Sequence, residues 1–309
     1  LRHILDLITL ARIGDAHLLR TLALLRRVEY KTPLHLAAGA AQSSRGELTV
    51  ATTHTQARYA LLTAFRNPRT VVFQMAFPVI LLILFNSIFT KGSDETVTFA
   101  GGTITASAYF TAGLAAYATA LSTFTNLAIG LTMQRETGQL KRLRGTPMPS
   151  WTFVAGQVLR SAATALVVVV VLFAIGVIAF GVDLSAERVV GLVVYVALGT
   201  AAFAALGMAV TVVTTTVDSA STIGPFTIVM LSFVSGVFIS VDTLPNWLES
   251  VGKVFPLYHL AEGLQTCLVS GAGGTGLDAG NVAALALWGL AGVAIAVRRF
   301  RWEPQAAPA

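Results

Sequence analysis

The sequence predicts an all-α membrane protein with six transmembrane helices and both ends in the cytoplasm. Three observations predict it. Charge is scarce, the few charges cluster between long apolar runs, and the basic residues among them gather on one side. Hydrophobic residues make up 55% of the chain and charged residues only 12%. A soluble domain of this length carries about a quarter charged residues, because its surface must be solvated. The net charge of +6 does not point to nucleic acid, since the basic residues sit at the ends of apolar runs rather than over one face. The single cysteine, Cys267, excludes an intrachain disulfide and any cysteine-rich metal site.

A helix needs about 20 apolar residues to cross the hydrocarbon core. Val71–Thr90 is the first such run, closed by Lys91, Asp94 and Glu95. Thr103–Met133 is the second and exceeds the need, which implies tilt or protrusion. Ser161–Gly181 is the third. From Val189 to Val241 only Asp218 interrupts, which fits a fourth span (189–216) and a fifth (219–241) around a tight turn at Thr216–Ser219. The sixth covers 279–297, between Asp278 and Arg298. None of these runs holds an ionisable residue, and ion-coupled carriers usually place such residues at mid-membrane. Energy is therefore expected from outside the bundle.

Orientation follows from lysine and arginine in the short loops. Arg58, Arg66, Arg69, Arg135, Lys141, Arg142, Arg144, Arg160, Arg298, Arg299 and Arg301 fall on one side, against Lys91, Arg188 and Lys253 on the other. The first side is read as cytoplasmic.

Two segments outside the spans are amphipathic. Thr55–Arg66 places Tyr59, Leu62 and Phe65 at helical spacing and reads as a helix on the inner interface. Leu244–Leu264 reads as a pair of short helices dipping into the outer leaflet. Pro245 starts the first, Trp247, Leu248, Val251 and Phe255 share a face, and Pro256 ends it. Residues 1–50 form an extension with two readings. One is a basic amphipathic helix on the inner leaflet. The other starts translation at Leu48, from a CUG or UUG codon preceded by a purine-rich stretch encoding Arg45-Gly46-Glu47, so that 1–47 lie upstream of the protein.

No G-x-x-x-x-G-K-[ST] loop occurs, and the one Gly-Lys pair, Gly252-Lys253, precedes Val254. No H-E-x-x-H occurs, and Ser235 with His259 is the only conceivable intramembrane serine–histidine pair. No catalytic residue, metal site or cofactor is expected in this chain.

The most informative stretch joins the second and third spans, Gln134 to Pro149. Glu136 precedes Lys141 and Arg142, Leu140 and Leu143 fall on one helical face, and Gly145 and Pro147 stop the helix. An anchoring loop explains the arginines but not the mixed charge, the paired leucines or the stop.

At this point the chain resembles the membrane subunits of type-2 ABC exporters, especially the daunorubicin-resistance-like permeases of bacteria. The resemblance rests on Arg135-Glu136-x-Gly138-x-Leu140, Leu143-x-x-Thr146-Pro147, Ser235-Gly236-Val237-Phe238, Leu244-Pro245-x-Trp247-Leu248 and Phe255-Pro256-Leu257. It covers about residues 55 to 300 and implies a transmembrane domain over 51–302, with 303–309 a cytoplasmic tail. It further implies a bacterial cytoplasmic (inner) membrane location. Two copies would pair with two separately encoded ATP-binding subunits, which bind ATP and magnesium. Within that resemblance Glu136, Gly138, Leu140, Lys141, Arg142, Leu143 and Arg144 look like the coupling helix that docks on the ATPase. Thr55–Arg66 looks like the connecting elbow helix. Pro245, Trp247, Leu248, Phe255 and Pro256 look like parts of the outer re-entrant helices. The second and fifth spans line the substrate path in such proteins, and here they carry Tyr109, Tyr117, Ser122, Thr125 and Asn126, then Thr227, Ser232 and Ser235. Scattered hydroxyls serve equally as helix-packing groups. The expected cargo is a small hydrophobic drug, antibiotic or lipid. A polysaccharide or lipid-linked glycan is the alternative, and an intramembrane enzyme a remote one.

Overall fold

The computed structural model describes residues 68–89, 95–99, 101–144, 150–240, 243–269 and 274–299, all inside the compact unit Thr53–Ala309. The readings of residues 1–50, of the Thr55–Arg66 elbow and of the 303–309 tail lie outside the described residues. Helix α1 spans Pro68–Phe89, strands β1 and β2 span Thr96–Phe99 and Gly102–Thr105, and α2 spans Ala106–Ala120. A single π-helical turn, Leu121–Thr125, continues α2 into α3, Asn126–Glu136. Then come α4 (Gln139–Arg144), α5 (Ser150–Phe180), α6 (Ala186–Val210), α7 (Val217–Val234), α8 (Asn246–Gly252), α9 (Pro256–Thr266) and α10 (Ala279–Arg299).

Among the described residues, five helices are long and apolar enough to cross a membrane: Ala106–Glu136, Phe153–Phe180, Ala186–Val210, Val217–Val234 and Ala279–Arg299. In α1 the apolar stretch is the shorter Gln74–Phe89. Helical boundaries depart from the apolar runs at several ends. Helix α5 begins at Ser150, eleven residues before the predicted Ser161, so Arg160 lies inside the helix and not in a loop. Residues Thr103–Thr105 belong to a strand and not to the second span, which runs on instead through Arg135 and Glu136. Arg188 sits in the first turn of α6, and Asp218 in the first turn of α7. The apolar runs themselves hold no ionisable residue, and the helices that contain them extend past the runs to take in these charged residues. The tight turn expected at Thr216–Ser219 is a six-residue connection, 211–216, and a capping box between Thr216 and Ser219 opens α7.

The chain is mostly helical, as the sequence predicts, and carries one short hairpin besides. Thr96–Phe99 pairs antiparallel with Gly102–Thr105, setting Val97 opposite Ile104 and Thr98 opposite Thr103. Alternating threonine and apolar residues suit a pleated, half-buried ribbon, and here they precede the N-terminal end of the second span. Ser240 Oγ donates to the Thr98 carbonyl at 3.1 Å, tying the hairpin to the segment after α7.

The core is centred on the second span. Every residue of α2 is buried, with Leu114, Ala115, Ala116 and Ala120 fully so. Small side chains allow neighbouring helices to approach its backbone closely, as helix packing in lipid requires. Gly207 on α6 shows how closely: a Cβ built there would lie 2.6 Å from the Phe124 carbonyl oxygen. Helix α9 packs on α2, burying Leu257, Leu260, Ala261 and Leu264. Helices α7 and α10 leave most of their apolar residues outward, among them Phe226, Met230, Leu287 and Leu290.

Candidate functional site

The second span ends at Glu136, and the chain reverses through Thr137 and Gly138 into α4. Gly138 has φ +69° and nothing within 4 Å of a built Cβ, so glycine is needed there for the backbone and not for space. Its N–H donates to the Arg135 carbonyl, and its own carbonyl receives the Arg142 N–H. The predicted coupling helix Glu136–Arg144 is thus two pieces. Glu136 closes the span, and the short helix is Gln139–Arg144. Leu140 is wholly buried within the chain, whereas Lys141 and Arg142 are exposed. The side chains of Leu143 and Arg144, and the Gly145–Pro147 stop, lie outside the described residues.

Arg135 turns inward. It is 2% exposed, and its Nη1 donates to the Thr211 carbonyl at 2.9 Å. Nη2 donates to the carbonyls of Thr214 and Thr215. Glu136 reaches the other end of the same connection, where its Oε1 accepts the Val217 N–H at 2.8 Å. Reading Arg135 as a loop anchor misses this placement, and the adjacent opposite charges directly after an apolar run are the available signal. An interhelical amide pair was also missed: Gln74 Nε2 donates to Asn126 Oδ1 at 2.8 Å, joining α1 to α3.

The eight residues assigned to a path lie inside the bundle. Tyr109 donates its hydroxyl to the Gly236 carbonyl at 2.6 Å, and Gln265 Nε2 donates to the same oxygen at 3.0 Å. Tyr117 is buried with its ring centre 5.9 Å from Phe238 and 6.2 Å from Phe77. Ser122 and Thr125 are buried in the π turn, and Asn126 is held by Gln74. Ser232 bonds back to the Ile228 carbonyl at 2.7 Å, and Thr227 is half-buried. The hydroxyls of Thr125 and Ser235 are buried with no partner among the described residues. Thr111, Thr119 and Thr123 also bond back to carbonyls four residues earlier, which satisfies a hydroxyl without any external group. Of the eight, Tyr109 and Ser232 donate to backbone carbonyls of this chain.

After α7, Pro245 is the cap of α8, and Trp247 on that helix is 69% exposed. Leu248 and Phe255 are half-buried. Pro256 is the first residue of α9, where its missing N–H costs nothing, so it begins the second helix. Arg188 is buried against this region and donates to the Thr266 carbonyl at 2.6 Å. His259 Nδ1 meets Asn281 Oδ1 at 2.8 Å, pairing α9 with α10.

A bundle of long apolar helices around a buried second span, with a short basic helix at its end, defines a multi-pass membrane protein. Over residues 53–269 the chain matches the ABC-2 type transporter family, and it belongs to that family as a transport permease subunit. It is 20% identical over 198 residues to YvfS of Bacillus subtilis (strain 168), a protein named as a transport permease; the match covers 64% of this chain and 78% of that one.

Proposed function

We propose that this chain is the membrane half of an ATP-driven exporter in the bacterial cytoplasmic membrane. Two copies associate with two separately encoded ATP-binding subunits, and the complex moves a small hydrophobic drug, antibiotic or lipid outward. Helix α1 completes a six-span arrangement with both termini cytoplasmic, in line with the excess of lysine and arginine on that side. The observation that carries the reading is the pivot at Gly138. It presents the exposed Lys141 and Arg142 on a short helix whose Leu140 is rooted in the chain, directly at the end of the central span. An ATPase docked on that helix would act on the best-packed element of the bundle, and complementary charge would set its register. The aliphatic, small-residue character of the spans supports a hydrophobic cargo over a glycan, which needs aromatic stacking surfaces.

The test is reconstitution in vesicles. The chain alone is expected to turn over no ATP. Addition of a P-loop ATPase encoded beside it is expected to give hydrolysis that rises with a hydrophobic cargo. Robust turnover by the isolated chain, or hydrolysis indifferent to every cargo class, would refute the reading.

A further inference from the structure

Arg135 and Glu136 each meet a helix end of the charge they can neutralise. The last carbonyls of α6, Met208 to Val210, accept N–H groups of the connection that follows, and the carbonyls of Thr211, Thr214 and Thr215 stand at the negative end of that helix's dipole. The Arg135 guanidinium, a planar fork of donors, spans the carbonyls of Thr211, Thr214 and Thr215. The first N–H groups of α7 are the positive end of the next helix, and the Glu136 carboxylate accepts the one at Val217. Thr216 and Ser219 satisfy two further backbone groups through their reciprocal capping. Two consecutive residues at the end of the second span thus hold both ends of the connection between the fourth and fifth spans. Among the described residues no carboxylate forms an ion pair with Arg135, so carbonyl dipoles compensate its buried charge.

We propose that Arg135 and Glu136 form a clasp that locks the 211–217 connection to the end of the second span, so that the cytoplasmic ends of the fourth and fifth spans move with α4 as one body. Both act as positioning residues. Glu136 in this role is an internal helix cap whose carbonyl-type oxygen matters, not a charge offered to a docking protein. The consequence for transport rests on the exporter reading; the clasp itself is a property of the isolated chain.

A neutral acceptor separates the two roles. Glu136→Gln keeps an oxygen for the Val217 N–H and removes the charge, while Glu136→Ala removes both. Glu136 is exposed, so neither change disturbs the core. Hydrogen–deuterium exchange of the purified chain, read on the peptide covering 211–219, is the first arm. Glu136→Ala is expected to speed exchange at Val217 roughly five- to tenfold, the size of effect typical of a lost helix cap, and Glu136→Gln, which keeps the acceptor and loses only the charge at the helix end, by about two- to threefold. The second arm measures cargo moved per ATP with the partner ATPase. There Glu136→Gln should match wild type and Glu136→Ala should fall. Unchanged Val217 exchange in Glu136→Ala would overturn the clasp whatever the transport assay shows. Equal transport defects in the Gln and Ala variants would overturn it as well, in favour of a docking charge. If every variant lacks cargo-linked hydrolysis while exchange changes as expected, the clasp stands and the exporter reading falls.

Discussion

Gly207 offers a clean test of how closely the fourth span must approach the π turn. A Cβ at Gly207 would lie 2.6 Å from the Phe124 carbonyl oxygen, 3.0 Å from its Cα and 3.2 Å from its carbonyl carbon. Ordinary contact begins near 3.4 Å, so Gly207→Ala forces the two backbones about 0.8 Å apart. The obstacle is backbone, held on both sides by helical hydrogen bonds, and cannot rotate aside as a side chain would. Overpacking of this kind typically costs about 1–3 kcal/mol, and in a chain of this size about 1 kcal/mol corresponds to a shift of roughly 2–4 °C in Tm. Gly207→Ala is therefore expected to lower Tm by roughly 2–12 °C in a detergent or nanodisc thermal scan. Gly130→Ala is the matched control. Its Cβ would meet only the Nη2 end of Arg160, at 3.3 Å, and a flexible terminus can yield. Replacing a helical glycine with alanine otherwise favours the helix by about 1 kcal/mol. If Gly207→Ala is as stable as Gly130→Ala, the close approach of α6 to Phe124 is not real.

Gly138→Ala should destabilise the α3–α4 reversal by about 1–2 kcal/mol through its positive φ alone, and Gly138→Asn by less; an equal effect from both, in denaturant unfolding, would contradict a backbone cause. Cys267 is the single cysteine of the chain, buried beside the Thr275 carbonyl, and burial pushes its thiol up to about 11. Its thiolate is therefore scarce at neutral pH, and maleimide should label the native protein only after unfolding or well into alkaline pH; prompt labelling at pH 7 would refute the burial. Reporter fusions after Arg144 and Arg301 should report cytoplasm, and fusions near Asp94, Asp183 and Gly273 the outside. A cytoplasmic signal at Gly273 would break the six-span arrangement.

The spans are legible because lipid imposes a coarse requirement, an uncharged run of sufficient length, and composition alone meets or fails it. Helix boundaries are set by something else. The first turns of α5 carry Gln157 and Arg160 and still form helix, since protein neighbours and headgroups accept polar groups where hydrocarbon does not. The hairpin was hidden for the same reason. Thr103 to Thr105 are uncharged and merge into the run that follows, although the alternation of Thr96–Phe99 with its mirror in Gly102–Thr105 carries a period of two. Helix α9 was read as an interfacial dip because its amphipathic pattern marks one apolar face, and the pattern does not say whether lipid or protein covers that face. Leu257, Leu260 and Leu264 are covered by protein.

The site is less legible, because its partners are distant in sequence. Arg135 bonds to Thr211, 76 residues on, and Glu136 to Val217, 81 residues on. Local spacing places both charges at a span end and is silent about which helix ends they meet. The same distance hides the bond of the Tyr109 hydroxyl to the Gly236 carbonyl, 127 residues on, whereas the hydroxyls of Thr125 and Ser235 are buried without a partner among the described residues. Taken together, these long-range bonds hold the fifth span to the second at both ends. Glu136 holds the Val217 N–H at the start of α7, and Tyr109 holds the Gly236 carbonyl just past its end. Helix 106–136, at 31 residues, is about 46 Å long and exceeds the ~30 Å hydrocarbon core, so both grips fall near its edges. A fifth span held this way cannot tilt alone. Any opening that exposes Ser232 or Ser235 must either carry the second span with it or break one of the two grips. The Glu136 grip, on an exposed carboxylate, is the easier to break.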